Sequence, residues 1–145
     1  MDFSKLFHDT PHCDCLEDCC ADCSNIYVRA IDGPELKMED FHNYWDGGRT
    51  ATQCDTIAKF KGVSVSKLEF EEDKIEVLLK YKQQFGGVSR NYKGYACLFR
   101  PKTNAGLFKY TPSKENKRHH TFYTSDIFNL QQLEIIGIFN LQTDV

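Results

Sequence analysis

The sequence predicts an α+β domain: a helical, Cys-rich N-terminal half followed by a small antiparallel β-sheet or partial barrel. Three observations carry this expectation. Five of the seven cysteines fall within PHCDCLEDCCADC, residues 11–23. Acid-led, glycine-closed segments such as EEDKIEVLLKYKQQFGG run up to Gly87, and such boundaries belong to helices. Beyond Gly87 come short aromatic or β-branched runs, YKGYACLFR, AGLFKYT, HHTFYT and LEIIGIFNL, divided by Pro, Gly, Asn and Ser. That is the grammar of strands and turns. A length of 145 residues with 41% hydrophobic content suits one domain with its own core.

Taken in order, residues 1–24 form a Cys/His-rich segment. NIYVRAI alternates Ile26, Val28 and Ala30 against Tyr27, Arg29 and Ile31, which predicts a short strand. DGP at Asp32–Pro34 is a turn signal. MEDFHNYWDGG begins with acids and stops at Gly47-Gly48, and TQCDTIAKFKG closes at Gly62; both read as helices. Residues 25–87 are therefore expected to be mainly helical. EEDKIEVLLKYKQQFGG also alternates Ile75, Val77, Leu79 and Tyr81, but its charged ends favour a helix. Residues 88–145 are expected to be mainly β. In GYACLFR, Tyr95, Cys97 and Phe99 share one face, and Ala96, Leu98 and Arg100 the other. LEIIGIF is apolar on both faces except Glu134, which predicts a buried central strand intolerant of charge at Ile136.

No apolar run approaches the roughly 20 residues that cross a bilayer, so no membrane role is expected. MDFSKLFHDTPH lacks the basic start and apolar stretch of a secretion signal. A cytoplasmic chain follows, and there clustered cysteines point to free thiols or a metal. Thiolates are soft ligands that fill a tetrahedral zinc shell. Cys13, Cys15, Cys19, Cys20 and Cys23 are the candidate ligands, in CxC, CxxxC and CxxC pairs. His8, His12, His42 or Cys54 could complete a site. Neither HExxH nor HxE…PCxxC is present, so the zinc expected here is structural.

Charge divides the chain. Lys80–Arg118 hold ten of the eighteen Lys/Arg and one of the twenty-one acids, Glu115. Cations interleave there with Tyr81, Phe85, Tyr92, Tyr95, Phe99, Phe108 and Tyr110. Cations neutralise phosphates and exposed rings stack on unpaired bases. Arg90, Lys93, Arg100, Lys102 and Lys109 are the candidate anion-binding residues, for nucleic acid or an acidic protein surface. His119-His120, beside Lys117 and Arg118, is a candidate acid/base pair.

Two segments carry resemblances. TQCDTIAKFKGVSVSKLEF resembles a DNA-binding helix-turn-helix: Ala58 permits close helix approach, Gly62 supplies the turn, and Ile57, Val63 and Leu68 are the apolar anchors. Ser64, Ser66 and Lys67 would then face the bases, although Lys61 stands where an apolar residue is usual. YKGYACLFR, GLFKYT and LEIIGIF look like the β-rich C-terminal region of LexA-type self-cleaving repressors. That resemblance implies a Ser nucleophile activated by a Lys, placed on Ser64 and Lys109, with Val65 where the family carries Met. A lysine acts as a base only if burial depresses its pKa.

The reading that unites these features is a small intracellular binding or regulatory protein without catalysis. It is stabilised by metal and presents a basic aromatic face to an anionic partner. Two alternatives stand beside it: an interaction or inhibitory module working through the acidic N-terminal half, and a small hydrolase or LexA-type self-cleaving protein.

Overall fold

A computed structural model describes residues 25–41, 62–85, 94–102, 105–124 and 128–145. NIYVRAI forms strand β1 (Ile26–Ile31), as its alternation requires. Asp32–Glu35 bend the chain, and a short 3₁₀ turn at Met38–Phe41 buries Phe41. Strand β2 (Gly62–Leu68) leads through a 3₁₀ turn at Glu71–Asp73 into helix α1 (Lys74–Phe85). Strands β3 (Tyr95–Pro101), β4 (Gly106–Tyr110), β5 (His119–Thr124) and β6 (Leu133–Asn140) complete the described elements. All six strands join one antiparallel sheet in the order β4-β5-β2-β1-β3-β6.

This corrects the expected fold class. The protein is mostly antiparallel sheet with one α-helix among the described residues, not a helical half followed by a β half. GVSVSKL is strand β2, so the second helix of a helix-turn-helix does not form. Its alternation explains why: Val63 and Val65 enter one core cluster, while Ser66 and Leu68 are buried on the other face. The cysteine segment and the helix read at Thr52–Gly62 lie outside the described residues, apart from Gly62.

The sheet curls strongly. Tyr27 of β1 and Phe108 of β4 are separated in the strand order by β2 and β5, which in a flat sheet is roughly 14 Å. Their rings nevertheless stack at 4.0 Å. The concave side therefore closes on itself around Tyr27, Phe41, Phe99, Phe108 and Phe122, all almost fully buried. The convex side is covered by α1, whose Val77, Leu78 and Tyr81 pack on Val28, Leu68, Ala96 and Leu98. The helix resolves the mixed periodicity noted above. Val77 and Tyr81 form one i, i+4 row facing the sheet, and Ile75 and Leu79 form another facing outward.

β6 also departs from expectation. It is an edge strand, not a central one. Its ladder with β3 slips between Leu98 and Phe99, so Ile136 is the extra residue of a bulge. Ile135 and Ile136 are exposed, and a charge at Ile136 has solvent available.

Tyr81 ties the helix to the sheet through a directed relay. Its hydroxyl donates to the Val28 carbonyl (3.0 Å), so it must accept from Ser66 Oγ (2.7 Å). Ser66 is fully buried and accepts in turn from Asn116 Nδ2 (2.9 Å). Burial pushes the Tyr81 pKa up to about 12, against the opposing effects of Ser66 and Arg29. Tyr81→Phe is expected to cost about 1–3 kcal/mol, because two buried groups lose a partner. Wild-type stability should hold up to the unfolded tyrosine pKa near 10 and fall as pH rises through 12. Urea titrations at successive alkaline pH values should show a shallower fall in Tyr81→Phe.

Candidate nucleic-acid interface

The β4–β5 hairpin organises a basic surface. Its connection is pinned by one side chain: Asn116 Oδ1 accepts from the Arg118 amide at 3.0 Å, while Asn116 Nδ2 reaches the buried Ser66. The Asn116 carbonyl accepts from the Ser113 and His119 amides. This fixed turn presents Lys117 and Arg118 at the start of β5. Across the ladder, the Lys67 amide donates to the Arg118 carbonyl at 3.0 Å, placing Lys67 beside them.

Two rings complete the surface. Tyr110 and His120 are directly opposed on β4 and β5, with ring centroids 5.1 Å apart. Tyr110 is 56% exposed although it belongs to a strand. His120 continues inward to the edge of Tyr27 at 5.9 Å. Lys67, Tyr110, Lys117, Arg118 and His120, together with Glu69, line a hollow of about 330 Å³.

The electrostatics are graded. Arg118 is shared between Asp73 of the 3₁₀ turn, at 3.4 Å, and Glu76 of α1, at 3.1 Å. Lys67 and Lys117 make no ion pair among the described residues. His120 Nδ1 lies 2.9 Å from the Arg118 carbonyl; a carbonyl only accepts, so this nitrogen carries the proton. Burial holds the His120 pKa below its usual value, Lys67 and His119 add to that effect, and the Arg118 carbonyl opposes it. The ring is neutral at pH 7, suited to stacking and able to gain charge if a polyanion approaches.

No family model, curated protein or solved structure matches the chain. The site therefore stands on its own geometry.

The residues singled out from sequence are dispersed. Arg100 faces Glu134 across the β3–β6 ladder and pairs with it at 3.4 Å. Lys102 is exposed just past β3, its amide bound to the Gln132 carbonyl. Lys109 lies on β4, separated from β3 in the strand order by β5, β2 and β1. Arg90 and Lys93 lie outside the described residues, as do Cys13, Cys15, Cys19, Cys20 and Cys23. The described Cys97 is buried, and burial pushes its pKa up to about 12. No group of three potential metal ligands occurs among the described residues. No described helix is long and apolar enough to cross a membrane.

Ser64 and Lys109 share a row of the sheet, both opposite Thr121. β5 runs between them, so their backbones stand two strand spacings apart, roughly 9.6 Å. Of the histidine pair, His119 Nδ1 is taken by the Thr111 carbonyl at 2.8 Å. His119 and His120 point to opposite faces, which separates them as a catalytic pair.

The sequence places Tyr110 and Lys117 in the basic aromatic stretch and Lys67 among the base-facing residues of the helix-turn-helix resemblance, but none is among the five cations singled out for anion binding. Tyr110 carried a usable signal: in GLFKY it alternates with Lys109, and it is the last residue before the TPSKEN turn. Lys67 is reached only through the helix-turn-helix resemblance, as a base-facing residue of a helix; its actual place beside Lys117 and Arg118 depends on β2 being a strand.

Proposed function

We propose that this chain is a non-enzymatic binding protein for single-stranded nucleic acid, engaged on the face formed by Lys67, Tyr110, Lys117 and His120. The observation that carries the reading is the exposed Tyr110 ring beside His120, bordered by lysines that make no ion pair among the described residues. Most rings of this sheet are buried in the concave core. A ring left in water beside cations supports base stacking with phosphate neutralisation. An acidic protein surface would use the lysines but has less need of the ring.

Anisotropy of a labelled single-stranded oligonucleotide tests this. Affinity should fall steeply with salt, and Lys67→Ala with Lys117→Ala should flatten the log–log slope by about 1.4, from ~0.7 per phosphate contact. Tyr110→Ala should weaken binding by about 1–3 kcal/mol while leaving the unfolding midpoint nearly unchanged. Affinity should rise as pH falls below the usual histidine pKa, because the polyanion favours charged His120. Salt-insensitive binding, or equal affinity in Tyr110→Ala, would overturn the proposal.

A further inference from the structure

The ladder between β1 and β2 stops early. Ile26, Tyr27 and Val28 pair with Leu68, Lys67 and Ser66, but the same register continued would join Ala30 to Ser64, and it does not. β1 remains paired to β3 as far as Ile31, and β2 to β5 as far as Gly62. The sheet therefore splits locally between two intact halves. Arg29 bridges the gap: Nε donates to the Asp40 carbonyl at 2.9 Å and Nη1 to the Ser64 carbonyl at 2.8 Å.

Both acceptors are neutral. No carboxylate lies within ion-pairing distance of Arg29 among the described residues, and Asp40 spends Oδ2 on the Lys37 amide. Burial outweighs the distant attraction of Tyr81, Asp40 and Asp32 and draws the Arg29 pKa down. A guanidinium offers five N–H donors, and no described residue accepts from those beyond the two bonds given. This cation, which forms no ion pair among the described residues, opens onto a cleft of about 570 Å³ between the end of α1 and the β4–β5 turn. That volume falls in the range of small-molecule sites. Ser64, Gln83 and Gln84 offer hydroxyl and amide groups along its wall, and Glu115 is the carboxylate among its described lining residues.

We infer that the cleft binds a small organic carboxylate with hydrogen-bond donors at its other end, such as an amino acid or hydroxy acid. A planar guanidinium matches a carboxylate with two parallel bonds. One positive charge balances one negative charge, and Glu115 disfavours a phosphate dianion while accepting from an ammonium or hydroxyl. The site is separate from the Tyr110 face, so it stands or falls independently of nucleic-acid binding.

The test is a titration of the whole chain, followed by NMR of the arginine Nε–H signals. The probes are sodium acetate, glycine, inorganic phosphate and sodium chloride at matched ionic strength. Acetate and glycine should shift the Arg29 signal saturably, with midpoints on the order of 1 mM. Glycine should bind a few-fold tighter, as an exposed pairing with Glu115 allows. Chloride should give no saturable shift. Glu115→Gln should bring glycine down to the affinity of acetate. Absence of a saturable shift, tighter binding of phosphate than of acetate, or an unchanged glycine preference in Glu115→Gln would overturn the inference.

Discussion

Phe122→Ala should lower the unfolding free energy by about 3–5 kcal/mol. The side chain is fully buried. It lies nearly parallel to Phe108 at 4.2 Å and touches Phe99, Phe41 and Phe128 at ring separations of 6.0, 6.0 and 5.7 Å. Truncation removes the apolar surface and leaves a void whose walls belong to different strands, so the site cannot collapse locally. Phe122→Leu keeps most of the volume and should cost less, about 1.5 kcal/mol. Against a total of roughly 5–15 kcal/mol, the alanine variant is near the edge of folding. Urea unfolding should show a lower midpoint at unchanged slope. A loss below about 1 kcal/mol would mean that the aromatic cluster is not the packed centre described above.

Gly106→Ala should be nearly as damaging, for a different reason. Gly106 opens β4 with φ of +151°, in a region that side chains rarely adopt. A methyl group there would overlap the Tyr123 carbonyl oxygen and come within 2.9 Å of Phe122 Cε1. The oxygen is backbone of the neighbouring strand and cannot rotate away. β4 must lift from β5 or change its dihedrals, and strain plus overpacking together should exceed about 3 kcal/mol. Gly33→Ala is the control. Nothing lies within 4 Å of its would-be methyl group, so the change should stay within about 0.5 kcal/mol. Equal midpoints for the two variants would refute the close approach at Gly106.

The elements that were legible in the sequence are those whose pattern is local. β1 follows from the alternation of NIYVRAI, and α1 from its charged ends. β3, β4 and β5 follow from short aromatic runs between turn residues. β2 was hidden because its core-facing polar residue, Ser66, is satisfied only by Tyr81 and Asn116, which are distant in sequence. Without those partners, SVSK looks too polar for a buried strand. β6 was misplaced because its apolar residues say nothing about whether a second neighbour is present. The candidate interface was legible only as composition. Charge and rings pointed to residues 80–123, but which cations remain exposed depends on ladder partners such as Glu134, which claims Arg100.

The strand order carries a consequence for how the chain is made. β1 and β2, the first described strands to leave the ribosome, end up in the middle of the sheet. Their outer neighbours are β3 and β5, and β5 ends at Thr124. When β2 is complete, each of the two strands still exposes a hydrogen-bonding edge to be covered by sequence not yet translated. Formation of the aromatic interior must wait for Phe108 and Phe122. Contacts of such sequence separation slow folding and prolong exposure of unpaired strands. The growing chain is thus open to holdase chaperones, and to wrong pairings, from the completion of β2 until β5 has emerged.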